Sequence, residues 1–178
     1  LVTPIFVHIG AVHLAFNTYA VYVFGLQIER SFGSIRYLAI YMLSGIAGVL
    51  GSFSFSPHPS AGASGAIFGL IGTEAAFFYR YRRAFGRGGQ QRLYNILIVI
   101  GYNLAFTFVA SNIDVWGHLG GLFAGVALGW WLMPRYAVAR TEAGPAVIDT
   151  NDPRRWGRVL LVAVFTLALI SLFAIALR

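Results

Sequence analysis

Six apolar runs, roughly 11–28, 37–55, 64–79, 93–110, 117–134 and 159–177, alternate with polar connections along the chain. Most are long enough to cross a hydrocarbon core of about 30 Å as helices. They are apolar on all faces and rich in glycine, as packed transmembrane helices are, whereas a β-barrel would show alternating segments of about ten residues. The pattern predicts an all-α polytopic membrane protein with six transmembrane helices. Residues 1–134 read as a compact core of five spans joined by short loops. Residues 135–158 read as a polar cytoplasmic linker carrying Pro145, Pro153 and mixed charges, and 159–178 as an additional C-terminal helix. That last span has no Gly after Gly157, lacks close-packing motifs and is expected to carry no chemistry.

The third run departs from the others. Ser64 to Tyr79 gives only 16 residues, about 24 Å of helix, which is short of the bilayer. The preceding stretch SFSPHPSAGA must then dip below the outer surface, and irregular backbone at that depth is tolerated only where it is buried in protein or lines a wet cavity. A water-accessible pocket is predicted. Short, Gly-interrupted segments also mark transporter sites, so this feature alone does not specify an enzyme.

Composition agrees with a membrane setting: 58% of residues are hydrophobic, 16% aromatic and 11% charged, outside the range of soluble domains. The net charge of +7 is carried by thirteen Arg and no Lys. Arg30 and Arg36 follow the first span, Arg80, Arg82, Arg83, Arg87 and Arg92 follow the third, and Arg135, Arg140, Arg154, Arg155 and Arg158 separate the fifth from the sixth. The connections around 56–62 and 111–116 contain none. This alternation is the positive-inside pattern, which places the Arg-bearing loops in the cytoplasm and the other two outside. The basic charge is thus a topology signal, and no basic patch interleaved with aromatics points to nucleic acid. Without cysteine, disulfide and thiol chemistry are excluded. The chain opens on Leu1 within an apolar stretch and is expected to be a fragment of a longer protein.

Candidate chemistry begins with Ser64, in Gly62-Ala63-Ser64-Gly65 at the predicted start of the short helix. Small neighbours allow close approach of a peptide, and the free N–H groups and positive dipole end of a helix N-terminus favour an oxyanion. An ordinary N-cap serine beside packing glycines would look the same. His118 opens the fifth span in Gly117-His118-Leu119-Gly120-Gly121, where an ionisable residue is a functional candidate. Gly121, Gly125 and Gly129 form a stripe, as do Gly65, Gly69 and Gly72. Two such stripes let two backbones approach closely enough for a Ser–His hydrogen bond. The alternative is a histidine that only bonds a carbonyl. His13 and Asn17, four apart on the first span, share a face and offer two donors, either for an oxyanion or as interhelical glue.

Other intramembrane mechanisms find no support. No H-E-x-x-H run exists for zinc, and His8 and His13 are five apart without an acidic neighbour. Glu74 is the only acidic residue deep in an apolar run, so a pair of facing carboxylates is missing. Glu74 lies about 15 Å deeper than Ser64 and is expected to be neutral or paired with Arg, Tyr or Thr. Asp114, four before His118, reads as a solvated carboxylate or helix cap rather than a triad acid.

The segments HIGAVHLAFN, IERSFGS, GASGAIFG and HLGGLFAG together closely resemble the rhomboid family of intramembrane serine proteases, over about 8–130. The resemblance implies Ser64 as nucleophile and His118 as general base, with no acid and no cofactor or metal required. It also implies an oxyanion site of His13, Asn17 and the Ser64 amide, and an aromatic ring, Phe68, packed on the histidine. Gly62, Gly65, Gly121 and Gly125 would support this site. The family core has six spans, of which this chain supplies the last five plus one extra C-terminal helix. Implied substrates are single-span membrane proteins with a locally unstable helix, cut after a small residue. The expected location is the bilayer of a bacterial inner membrane, and no nucleic-acid partner is expected. The competing readings are a non-catalytic rhomboid-like protein that binds membrane clients, and a small transporter.

Overall fold

The computed structural model describes residues 1–56, 62–109, 114–142 and 144–176. Residues 57–61, half of the stretch expected to dip below the outer surface, and 110–113, which include part of the second outward connection, lie outside the described residues.

The first span is a continuous helical rod, Ala11–Phe32. It comprises α1 (Ala11–Ala20), a π-helical turn (Val21–Gly25) and α2 (Leu26–Phe32). Gly33, at φ 82°, ends the rod and turns the chain into α3 (Ser34–Phe55). α4 (Ser64–Tyr81), α5 (Gly86–Val109), α6 (Val115–Leu132) and α7 (Pro153–Ala176) complete the bundle. Five of these segments are long and apolar enough to span a membrane, and the exception is α4. Helix α4 carries Glu74 and Arg80 but is the most enclosed, with every residue from Ala66 to Phe77 buried. A helix walled in by other helices needs no lipid-facing apolar surface, so weak hydropathy and deep burial coexist.

The helices extend beyond the apolar runs. α5 begins at Gly86 rather than near 93, and α7 at Pro153 rather than near 159. Hydropathy marks only the part of a helix that lies in hydrocarbon, whereas the i to i−4 ladder continues wherever no breaker intervenes. The early start of α5 matters because it carries Arg92 inward to Glu74. Arg92 Nε and Nη2 both donate to Glu74 Oε1, at 2.9 and 2.7 Å. Glu74 is fully buried, and this pair joins α5 to the centre of the bundle.

Packing at the centre is made by glycine. A Cβ on Gly121 would lie 1.9 Å from the Gly65 carbonyl oxygen, one on Gly125 2.0 Å from that of Gly69, and one on Gly129 2.7 Å from Thr73 Cα. α4 and α6 are therefore in backbone contact along three successive turns, as stripes of small residues permit. α3 joins them: a Cβ on Gly48 would stand 2.7 Å from the Gly117 oxygen and 3.2 Å from Gly65 Cα. α5 and α7 lie outside this triad. α5 buries only Gly89, Ile96 and Thr107, and α7 buries none of its described residues.

The connection 135–158 holds more order than a polar linker, and it is where the chain departs from all-helical structure. β1 (Tyr136–Thr141) and β2 (Gly144–Asp149) form an antiparallel hairpin, with Val138 opposite Val147. Asp149 fastens it. Its Oδ1 accepts from the Arg135 and Asn151 amides, both at 2.8 Å, and its Oδ2 from Arg36 Nη1 at 2.6 Å. Partial burial pushes the Asp149 carboxyl up, but the two amides and the Arg36 guanidinium together hold it below the usual aspartate value. Asn151 Nδ2 donates to the Met133 carbonyl at 2.8 Å, satisfying an orphan carbonyl at the C-terminus of α6. Tyr81 Oη donates to the Pro134 carbonyl at 2.7 Å. Periodicity cannot reveal this latch, because its contacts bring Arg36 to a residue 113 positions away.

Candidate active site

The N-terminal end of α4 lies about 27 Å from the hairpin end of the same helix, beside the N-terminal turns of α1 and α6. Gly62 leads into α4 with φ 129°, a conformation that side chains rarely adopt. A Cβ there would also stand 2.7 Å from His13 Cε1 and 3.5 Å from Asn17 Nδ2. Glycine at 62 is thus required twice, by backbone conformation and by the side chains that crowd it. Its amide donates to the Pro4 carbonyl at 2.8 Å, and the 3-10 turn Thr3–Phe6 buries Ile5 against Gly45 of α3. The approach to Ser64 is therefore held from two sides.

Ser64 is the first residue of α4 and half-buried. Its neighbour Gly65 meets the Gly117 carbonyl, with 3.2 Å from a Gly65 Cβ position to that oxygen, and Gly117 precedes His118. One turn after Ser64, on the same face, the Phe68 ring stacks on the His118 ring with centroids 4.3 Å apart and an interplanar angle of 18°. Both rings are buried. The face of α4 that carries Ser64 thus turns toward His118.

His13 and Asn17 converge on Gly62 from α1. His13 Nδ1 accepts the Ile9 amide proton at 3.3 Å. A neutral imidazole that accepts through Nδ1 carries its proton on Nε2, and Nε2 is the nitrogen that lies 3.1 Å from the Gly62 Cβ position. Asn17 is buried, and its Nδ2 has no hydrogen-bond partner among the described residues. Two side-chain N–H donors therefore face the backbone just before Ser64. The first-turn amides of α4, which have no partners within the helix, are added to them. Such an array stabilises negative charge on an oxygen better than it stabilises a neutral carbonyl.

Asp114 is engaged elsewhere. It is the N-cap of α6 and accepts from the Trp116 amide at 3.1 Å. The group that does reach His118 is Thr107 of α5, whose Oγ1 lies 3.0 Å from Nδ1. Sequence reading missed Thr107 and also Gly48, the third glycine at the junction. No local signal marks either residue: a threonine in an apolar helix ordinarily bonds its own i−4 carbonyl, and Gly48 stands in a run with other small residues.

Residues 1–135 match the family model described as Rhomboid domain. Over 133 residues the chain is 50% identical to Rhomboid protease GluP of Bacillus subtilis, covering 72% of this chain and 26% of that protein. It is 37% identical over 130 residues to the Putative rhomboid protease YdcA of the same organism, covering 72% of this chain and 64% of the relative. The RHOMBOID-like protein 6, mitochondrial, of Arabidopsis thaliana is 30% identical over 185 residues, covering 97% of this chain and 60% of the relative. The chain thus spans about a quarter of the length of GluP and less than two thirds of the other two.

Proposed function

This chain belongs to the rhomboid family, and on that premise we propose that it is the catalytic part of an intramembrane serine endopeptidase acting on single-span membrane proteins. The observation that carries the proposal is the contact of α4 with α6, where Gly65 abuts Gly117 and Phe68 stacks on His118, with Ser64 on the same face as Phe68. Ser64 Oγ attacks the scissile carbonyl while His118 Nε2 takes its proton. The developing oxyanion receives hydrogen bonds from His13 Nε2–H, Asn17 Nδ2–H and the Ser64 amide. His118 then protonates the leaving amine, and water hydrolyses the acyl-enzyme by the same path in reverse. The chemistry needs no metal or cofactor. A substrate helix must unwind to present its carbonyl, because helical carbonyls are already bonded.

Sidedness follows from charge. Arg36 and Arg135 lie at the end of the bundle that holds the hairpin, opposite Ser64, and Arg82 stands there as the C-cap of α4, next to Tyr81, which bonds Pro134. The positive-inside rule makes that end cytoplasmic and has the site open outward. The chain has no native thiol. An impermeant thiol reagent applied to intact cells should therefore label a cysteine at Ser60 and spare one at Gly88.

The deciding experiment is reaction of the full-length protein in a bilayer with a fluorophosphonate probe, followed by peptide mapping. Modification of Ser64, lost in His118→Ala, is expected. An intact fold that never acylates at Ser64 would instead indicate a protein that binds membrane clients without cutting them.

A further inference from the structure

Resting on the reading of Ser64 and His118 as a dyad, we propose that Thr107 is the positioning residue of the base. Its hydroxyl oxygen accepts the Nδ1 proton of His118 and keeps Nε2 free to take the proton of Ser64.

The bonding of Thr107 carries the argument. A threonine hydroxyl has one proton and two lone pairs. Thr107 Oγ1 lies 2.7 Å from the Asn103 carbonyl oxygen and 3.0 Å from His118 Nδ1. A carbonyl oxygen can only accept, so the 2.7 Å bond takes the hydroxyl proton. That length is ordinary for O–H···O, and 3.0 Å is ordinary for N–H···O. With its proton committed, the oxygen can only accept from the imidazole, and Nδ1 must be the protonated nitrogen of the neutral ring. Thr107 is 3% exposed, so water does not compete readily for either bond.

Phe68 and Thr107 then divide the orientation of His118 between them. Stacking on Phe68 fixes the plane of the ring, but a stacked ring can turn by half a revolution without losing the contact. Only a directional bond at one edge decides which nitrogen points toward α4. Asp114 does not supply it: its Oδ1 accepts from the Trp116 amide, and its Oδ2 makes no hydrogen bond to any described residue. During acylation the proton leaves Ser64 Oγ for Nε2, and Nδ1–H stays on Thr107 throughout. A neutral acceptor stabilises the resulting imidazolium less than a carboxylate would, so the effect should be moderate: one hydrogen bond to a charged group corresponds to roughly 10- to 100-fold.

The test compares the full-length protein with Thr107→Val, which keeps the shape and removes the acceptor, and Thr107→Ser, which keeps the hydroxyl. In protein labelled with 15N-histidine, with His118 identified by its loss in His118→Gln, the native ring should show Nδ1 protonated and Nε2 bare. Thr107→Val should lose that preference, and its fluorophosphonate acylation rate should fall about 10- to 100-fold. Thr107→Ser should restore both. A native ring protonated on Nε2 would overturn the proposal. So would Thr107→Val acylating at the native rate, or Thr107→Ser as slow as Thr107→Val, which would reduce Thr107 to packing. If the native protein did not acylate at all, the protease reading would fail, while the 15N measurement would still decide the tautomer.

Discussion

Gly65 and Gly121 approach so closely that a single methyl on Gly121 would stand 1.9 Å from the Gly65 carbonyl oxygen. No rotamer relieves such a clash, because it is between a Cβ and backbone. Gly121→Ala must push α6 away from α4 and should destabilise the protein by about 1–3 kcal/mol or more. It should also cost activity, because Ser64 and His118 stand on opposite sides of that contact. Gly101→Ala is the control: Gly101 is exposed on α5 with nothing within 4 Å of its Cβ position. Relief of glycine's conformational entropy should leave that variant neutral or stabilised by about 0.5–1 kcal/mol. Thermal unfolding in detergent, with turnover measured in parallel, checks both.

Asn17 has a buried amide whose Nδ2 finds no partner among the described residues. A donor held idle in the resting protein and used in the transition state acts on turnover rather than on binding. Asn17→Ala should lower kcat by about 10²–10³ with KM nearly unchanged. A raised KM with unchanged kcat would assign Asn17 to substrate docking.

Ser64→Ala and His118→Ala should each abolish cleavage, and the double substitution should cost little more than either, since groups that act as one unit are not additive. Asp114→Asn should keep most activity, because Asp114 caps α6 through the Trp116 amide. A fall of about 10⁴ on that change, the size expected for loss of a triad acid, would mean that Asp114 orients the histidine.

The Asp149 latch makes hairpin docking sensitive to pH. The carboxyl is held below its usual value in the folded protein, so its contribution is complete above the unfolded aspartate pKa of about 3.9 and is lost as pH falls through the folded value. Hydrogen exchange of the 136–149 amides, corrected for intrinsic rate, should be slow at neutral pH and accelerate below about pH 4. Asp149→Asn should show the fast exchange already at neutral pH, because it leaves the Arg36 charge, 8% exposed, without its carboxylate. Equal exchange in the two proteins at neutral pH would remove Asp149 from the latch.

The sequence by itself determined that this is a helical membrane protein, because runs apolar on every face can satisfy their backbone only as helices in lipid. It also marked the short segment beginning at Ser64, and it singled out Ser64, His118, His13 and Asn17 as polar groups in places where lipid tolerates few. Each is a local property, readable from a window of the chain. The tertiary structure decided what is not local. It brought Gly48, Gly65 and Gly117 from three helices into one contact, and it carried Arg92 of α5 to Glu74. It closed the hairpin on Arg36 from 113 positions away, and it set Thr107 against the far nitrogen of His118. The physical reason is the same in each case. Hydropathy and spacing fix how a segment meets its solvent, whereas a hydrogen bond or a backbone contact between helices depends on the rotation and depth of two segments at once.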